Sequence, residues 1–229
     1  MGQPGVQQDI RRQGVAGTAV RWLLLGCCAA MGAAMGAGCT PARIPLVVLS
    51  IDGLRPGDVL QAQRIGAQVP NLQRLMREGA FASGVRGVVP TMTYPSHTTM
   101  LTGVSPGRHG VYHNLPLDPL GKAPGAWNWF YESVRAETLW DVARRAGLRT
   151  ANVRWPVAVG APVTWNVPQY WRYGGEEDRK LLRMLATPGL MQELETVMSP
   201  LPDNQDPGIE NDERYAVLAM RLLERKQPD

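Results

Sequence analysis

Beyond residue 39 the chain has no cysteine; Cys27, Cys28 and Cys39 are the only three in 229 residues. The body of the protein therefore has neither disulfides nor thiolate metal sites to draw on. Histidine is almost as scarce: His97, His109 and His113, and none afterwards. Charge of one sign is not concentrated anywhere. With Asp9, Arg11, Arg12 and Arg21 set aside, the remainder holds 21 basic and 19 acidic residues, a net of +2. No lysine-rich stripe runs through it, so nucleic-acid binding has little support. Long pure apolar runs are also missing. The most apolar stretch, "WLLLGCCAAMGAAMGAGC" (22–39), is too rich in Ala, Gly and Met to read as a membrane span.

What that stretch does resemble is a secretory signal, with Arg11, Arg12 and Arg21 ahead of it and small residues at its end. Cys39 after Gly36-Ala37-Gly38 is similar to a bacterial lipoprotein cleavage site, although the usual Leu three residues before the Cys is Gly36 here. The expectation is that residues 1–39 export the protein, to a bacterial periplasm or to a membrane through a lipid on Cys39. Residues 40–229 then form the folded part.

That part is rich in turn formers; the whole chain has 25 Gly and 19 Pro. "IPLVVLSIDG" (44–53) is apolar on both faces, as a strand buried in a parallel sheet would be. "PNLQRLMRE" (70–78) places Leu72, Leu75 and Met76 at helical spacing, with Pro70 at the start and Gly79 just past the end. "FASGVRGVVP" (81–90) reads as a second strand and "PSHTTMLTG" (95–103) as a short helix. "ETLWDVARRAG" (137–147) is a helix with a Gly stop, and "LRTANVRWP" (148–156) a third strand. Two further helices are expected near 178–197 and 211–226. Strand–helix alternation of this kind predicts an α/β fold, a mostly parallel sheet flanked by helices.

In open parallel sheets ligands gather outside the carboxyl ends of strands. Asp52 stands at such an end, where a carboxylate can ligate a metal or cap the next turn. Thr93 follows the second predicted strand and precedes the Pro95 helix, whose first turn offers unpaired N–H groups and the positive dipole end. A free threonine hydroxyl is a poor nucleophile, but a divalent cation can hold it as an alkoxide. Taken alone, Thr91, Thr93, Ser96 and Thr98 would be read as caps and turn residues.

The joint pattern changes that weighting. "LSIDGLRP", "PNLQRLMREGA" and "PTMTYPSHTTMLTGVSPGRHGVYHN" follow one another in order and spacing that resemble the alkaline phosphatase superfamily. Within it they are most similar to the nucleotide pyrophosphatase/phosphodiesterase (type I phosphodiesterase) branch. The likeness continues through "ETLWDVARRAGLRTANVRWP" and covers most of residues 45–173. The resemblance implies a metal-dependent hydrolase of phosphodiester or pyrophosphate bonds in a small, nucleotide-like substrate. It implies two divalent cations, usually zinc in this branch. Asp52 would ligate one of them. Thr93 would be the catalytic nucleophile, touching a metal and carrying the phosphoryl group. Asn114 would bind substrate through a non-bridging phosphoryl oxygen, and Tyr94 matches the aromatic that follows the nucleophile. By the same resemblance His97 and His109 support local structure; His113, next to Asn114, can line the pocket and has no assigned role. Trp127, Trp129, Phe130 and Tyr131, and likewise Trp155, Tyr170, Trp171 and Tyr173, can stack on a base or simply pack.

A two-metal site needs roughly six protein ligands, its nitrogen ligands from His, and the relatives' remaining Asp and His ligands have no counterpart here. The expectation is that 40–229 is the N-terminal portion of a catalytic domain, with little activity by itself. Rival readings are a phosphomonoesterase or phosphonate hydrolase on the same scaffold, and a catalytically inactive lipoprotein fragment that binds phosphate. A sulfatase needs a modifiable Cys or Ser at the nucleophile position, which Thr93 is not.

Overall fold

The computed structural model describes residues 44–122, 124–171, 176–202 and 208–229. The signal or lipoprotein segment 1–39 and Cys39 lie outside the described residues. The elements in chain order are α1 (Pro56–Leu60), α2 (Pro70–Glu78), α3 (Thr93–Thr102), α4 (Pro106–His109), α5 (Leu139–Arg145), β1 (Ala151–Val153), β2 (Trp165–Val167), α6 (Glu176–Leu185), α7 (Leu190–Glu195) and α8 (Ile209–Lys226). Single 3-10 turns sit at Ala62–Ile65 and Tyr131–Ser133. None of the described helices is long and apolar enough to cross a membrane.

Helices and a small parallel sheet are present, which is compatible with an α/β fold. The sheet is smaller than expected. Among the described residues it has two strands, β1 and β2, paired in parallel with Ala151 opposite Trp165 and Val153 opposite Val167. The strands expected at 44–53 and 81–90 do not form; both segments lack ladder pairing. Ile44, Leu46, Val47, Val48 and Leu49 are each more than half exposed, and so are Phe81, Val85 and Val89. A two-faced apolar run says that a strand wants cover on both sides. It does not say which segments give that cover, and no described residue does.

The helices follow their local signals. α2 runs from Pro70 to Glu78, as the spacing predicts. α5 starts at a complete capping box: Thr138 accepts from the Asp141 amide, and the Asp141 side chain accepts from the Thr138 amide. The single helix expected at 178–197 is two, α6 and α7, because Pro188-Gly189 interrupts it and Gly189 takes the left-handed conformation (φ 79°). α8 carries Glu210 and Asp212 in its first turn and Arg225 and Lys226 in its last, matching the helix dipole at both ends. α6, α7, α8 and the end of β2 share one core, with Val167, Leu182, Leu190, Met191, Leu194, Leu218 and Leu222 buried together.

Between this core and the loops that reach the site stands a buried amide pair. Asn152 Nδ2 donates to Asn166 Oδ1 (2.7 Å), and Asn166 Nδ2 donates to the Ala158 carbonyl (2.7 Å). Asn152 Oδ1 accepts from the Trp155 amide (3.0 Å). The pair crosses the sheet and pins the 155–158 loop at the carboxyl end of β1. Asn166→Ala leaves the Asn152 amide and the Ala158 carbonyl buried without partners. It is expected to lower unfolding free energy by about 2–3 kcal/mol, read from the urea midpoint.

Candidate active site

α3 begins two residues earlier than its Pro suggests. Met92 is the N-cap with extended backbone (φ −132°, ψ 159°), so Thr93 is the first helical residue rather than a loop residue before it. Pro95 is tolerated there because the first turn has no intrahelical donors to lose.

The five threonines of this region do different things. Thr98 Oγ1 donates to the Tyr94 carbonyl (2.8 Å) and Thr102 Oγ1 to the Thr98 carbonyl (2.7 Å), the back-bonding usual for Thr inside a helix. Thr91 Oγ1 donates to the Val88 carbonyl (2.9 Å), and Thr99 Oγ1 pairs with His109 Nε2 (3.0 Å). Only Thr93 turns its hydroxyl to a carboxylate from a distant segment, donating to Asp52 Oδ2 at 3.1 Å. The contact is open to solvent, so a substrate can reach the oxygen.

Asn114 reaches the same helix start. Its Oδ1 accepts from the Tyr94 backbone N–H (3.0 Å). A backbone N–H can only donate, so the amide orientation is fixed by chemistry: Oδ1 faces the helix and Nδ2 faces away. No described residue takes the Nδ2 hydrogens. The Asn114 carbonyl accepts from the Asn128 amide (2.8 Å), and Asn128 Nδ2 donates to the His113 carbonyl (2.7 Å). Asn128 is therefore a support that sequence reasoning missed. The helix terminus is a weaker anion site than expected: Pro95 has no N–H and Asn114 already occupies that of Tyr94.

Tyr94 is buried, 1% exposed, with its ring against Trp127 (5.4 Å between centroids) and its hydroxyl donating to Gln169 Oε1 (3.0 Å). Burial pushes its phenol well above the ordinary value, opposed by the Arg154 charge. Val111 and Val157 complete that cluster, with Trp127 and Trp171 packed on it. The aromatics near the site thus pack on one another: Trp127 on Trp171 (4.9 Å), Trp129 on Tyr170 (4.7 Å). Farther off, Tyr131 donates to Asp141, and burial and that carboxylate push its hydroxyl up to about 12.

The three histidines separate by their contacts. His113 is exposed and its Nδ1 accepts from the Leu115 amide (3.0 Å). His97 is bound to Ser50 and to the Thr93 carbonyl. His109 is fully buried; its Nδ1 accepts from the Val111 amide (3.2 Å), which leaves the proton on Nε2 for Thr99. Burial lowers its pKa below the ordinary 6.5. The unfolded chain then binds the proton more readily, so stability is full above pH 6.5 and declines as pH falls below it. We expect the urea midpoint to drop between pH 7 and 5, and His109→Gln to flatten that slope.

Asp52 and Thr93 offer one carboxylate and one hydroxyl, and among the described residues no group of three or more His, Cys, Asp or Glu converges. Two donors do not by themselves fit a two-cation centre.

The family model described as Type I phosphodiesterase / nucleotide pyrophosphatase matches residues 46–214. Human ectonucleotide pyrophosphatase/phosphodiesterase family member 1 is 29% identical over 116 residues, 49% of this chain and 12% of that protein. Rat family member 3 is 30% identical over 122 residues, 49% of this chain and 13% of its own length. Venom phosphodiesterase 2 of Crotalus adamanteus is 28% identical over 123 residues, again 49% of this chain and 14% of the relative. The matched part is thus a small fraction of each relative's length. A match from the Asp52 segment through β2 and into α8 spans more than half of the chain, and on it the chain belongs to the type I phosphodiesterase / nucleotide pyrophosphatase family.

Proposed function

We propose that residues 40–229 are the nucleophile-bearing portion of a hydrolase that cleaves phosphodiester or pyrophosphate bonds in small nucleotide-like substrates. The observation that carries this reading is the Thr93 hydroxyl held at 3.1 Å from Asp52, with Asn114 fixed beside it by the Tyr94 amide. The domain would be alkaline-phosphatase-like, with a larger parallel sheet than β1 and β2 make. Export, by a signal or a lipid on Cys39, is part of the same proposal.

In the proposed reaction Thr93 Oγ bonds to phosphorus as the bond to the leaving oxygen breaks. Asp52 accepts the Thr93 O–H, so it orients a lone pair outward and stands where that proton can go. Asn114 Nδ2 donates to a non-bridging oxygen on which negative charge grows. Water then adds to phosphorus of the nucleotidyl-threonine as the bond to Thr93 Oγ breaks, which releases the nucleoside monophosphate and restores the hydroxyl. Two divalent cations, zinc by family resemblance, would supply Lewis acidity at this centre; Asp52 and Thr93 are two of roughly six donors such a pair needs.

The test is substrate choice by the protein. The p-nitrophenyl diester of thymidine 5′-monophosphate is expected to turn over faster than p-nitrophenyl phosphate by about a hundredfold or more in kcat/KM, since the diester carries the nucleoside the site is read to accept. Preference for the monoester would give the protein to the phosphomonoesterase reading, and binding of either without turnover to the inactive phosphate-binding one.

A further inference from the structure

Asp52 sits on a segment with little to hold it. Residues 44–51 are exposed and unpaired in any sheet. Two side-chain hydrogen bonds connect 44–53 to the rest of the described residues: Thr93 to Asp52, and Ser50 to His97. The second bond has a continuation. His97 Nε2 is 2.8 Å from Ser50 Oγ, and His97 Nδ1 is 2.7 Å from the Thr93 carbonyl oxygen. One buried imidazole, 7% exposed, therefore touches both the segment that carries the carboxylate and the residue that carries the hydroxyl. Trp155 packs edge-on against it (5.1 Å, 79°) and limits ring rotation.

The direction of the chain of bonds follows from chemistry. The Thr93 carbonyl can only accept, so Nδ1 must hold the proton. In the neutral ring Nε2 then accepts from the Ser50 hydroxyl. Both ring nitrogens are thereby satisfied in one tautomer and one orientation, as in a ring held for the sake of what its far nitrogen touches. Ser50 precedes Asp52 by two residues, so its anchor holds the chain directly ahead of the turn that carries the carboxylate.

We propose that His97, acting through Ser50, is a positioning residue that sets the separation between Asp52 and Thr93. This rests on the reading of Thr93 as nucleophile. The ring touches neither substrate nor the reacting oxygen; it fixes the distance across which that oxygen is oriented. Small misplacement of a reacting group costs rate rather than binding.

The test combines kinetics with imidazole nitrogen NMR on the protein. Ser50→Ala is expected to lower kcat about tenfold with KM within about twofold, the scale of one lost hydrogen bond. Ser50→Thr, which keeps a hydroxyl, is expected to recover most of that loss. In the unmodified protein the His97 signal should report a protonated Nδ1 and a bare Nε2. A ring protonated on Nε2, or a Ser50→Ala variant with undiminished kcat, would overturn the proposal. Thr93→Ala run alongside separates the two levels. If that variant turns over normally, the nucleophile assignment fails. If it is dead while Ser50→Ala is unaffected, only the strut fails.

Discussion

Thr93→Ala is expected to lower kcat on the nucleotide diester by at least about ten-thousand-fold, while Thr93→Ser stays within about tenfold of the unmodified protein. The reason lies in which hydroxyl is free to react. Thr91, Thr98 and Thr102 donate to backbone carbonyls and Thr99 is paired with buried His109, so none can stand in for Thr93. Serine keeps the oxygen and its contact with Asp52 and loses only a methyl. Alanine removes the atom that bonds to phosphorus in the proposed reaction. Acid-quenched samples of the unmodified protein should contain a peptide spanning Thr93 that carries the thymidine 5′-phosphoryl group, absent from the Ala variant. A Thr93→Ala protein that binds the diester and retains its turnover would end the nucleophile reading.

Asn114→Asp should reduce kcat on the order of a hundred- to a thousand-fold with little change in melting temperature. Asn114 does two jobs with one amide. Its Oδ1 accepts the Tyr94 N–H and so caps α3 from outside, while its Nδ2 has hydrogens that no described residue takes. Aspartate keeps the accepting oxygen and the cap. It removes the donor and puts negative charge where phosphoryl oxygens would lie, so catalysis suffers and the fold does not. Asn114→Ala removes both functions, and should lose about 1 kcal/mol of stability as well as rate. The pair of variants separates cap from catalyst by thermal unfolding and initial rates measured on the same samples. Equal rates for Asn114→Asp and the unmodified protein would remove Asn114 from the chemistry and leave it as a cap.

Much of the local structure was legible in residue order. Pro70 and Gly79 bracket α2, Thr138 and Asp141 start α5, and the helix near 211–226 is α8 with its charges matched to its ends. The break between α6 and α7 was missed: the helix expected over 178–197 ran straight through Pro188-Gly189. The Asp52, Thr93 and Asn114 segments were legible as a set because their order and spacing resemble a family. Their mutual distances were not. Ser50 left one faint signal, a lone hydroxyl inside the apolar run "IPLVVLSI", and nothing in the sequence connected it to His97.

Sequence alone settled the family and the turn-level punctuation, because caps, breakers and motif spacing act between residues a few positions apart. Tertiary structure decided the rest. It made Thr93 the only threonine of its cluster to face a carboxylate, turned the Asn114 amide, and left 44–51 unpaired where a strand was expected. Those outcomes depend on contacts across tens of residues, and a run of apolar side chains cannot specify the segment that will lie against it.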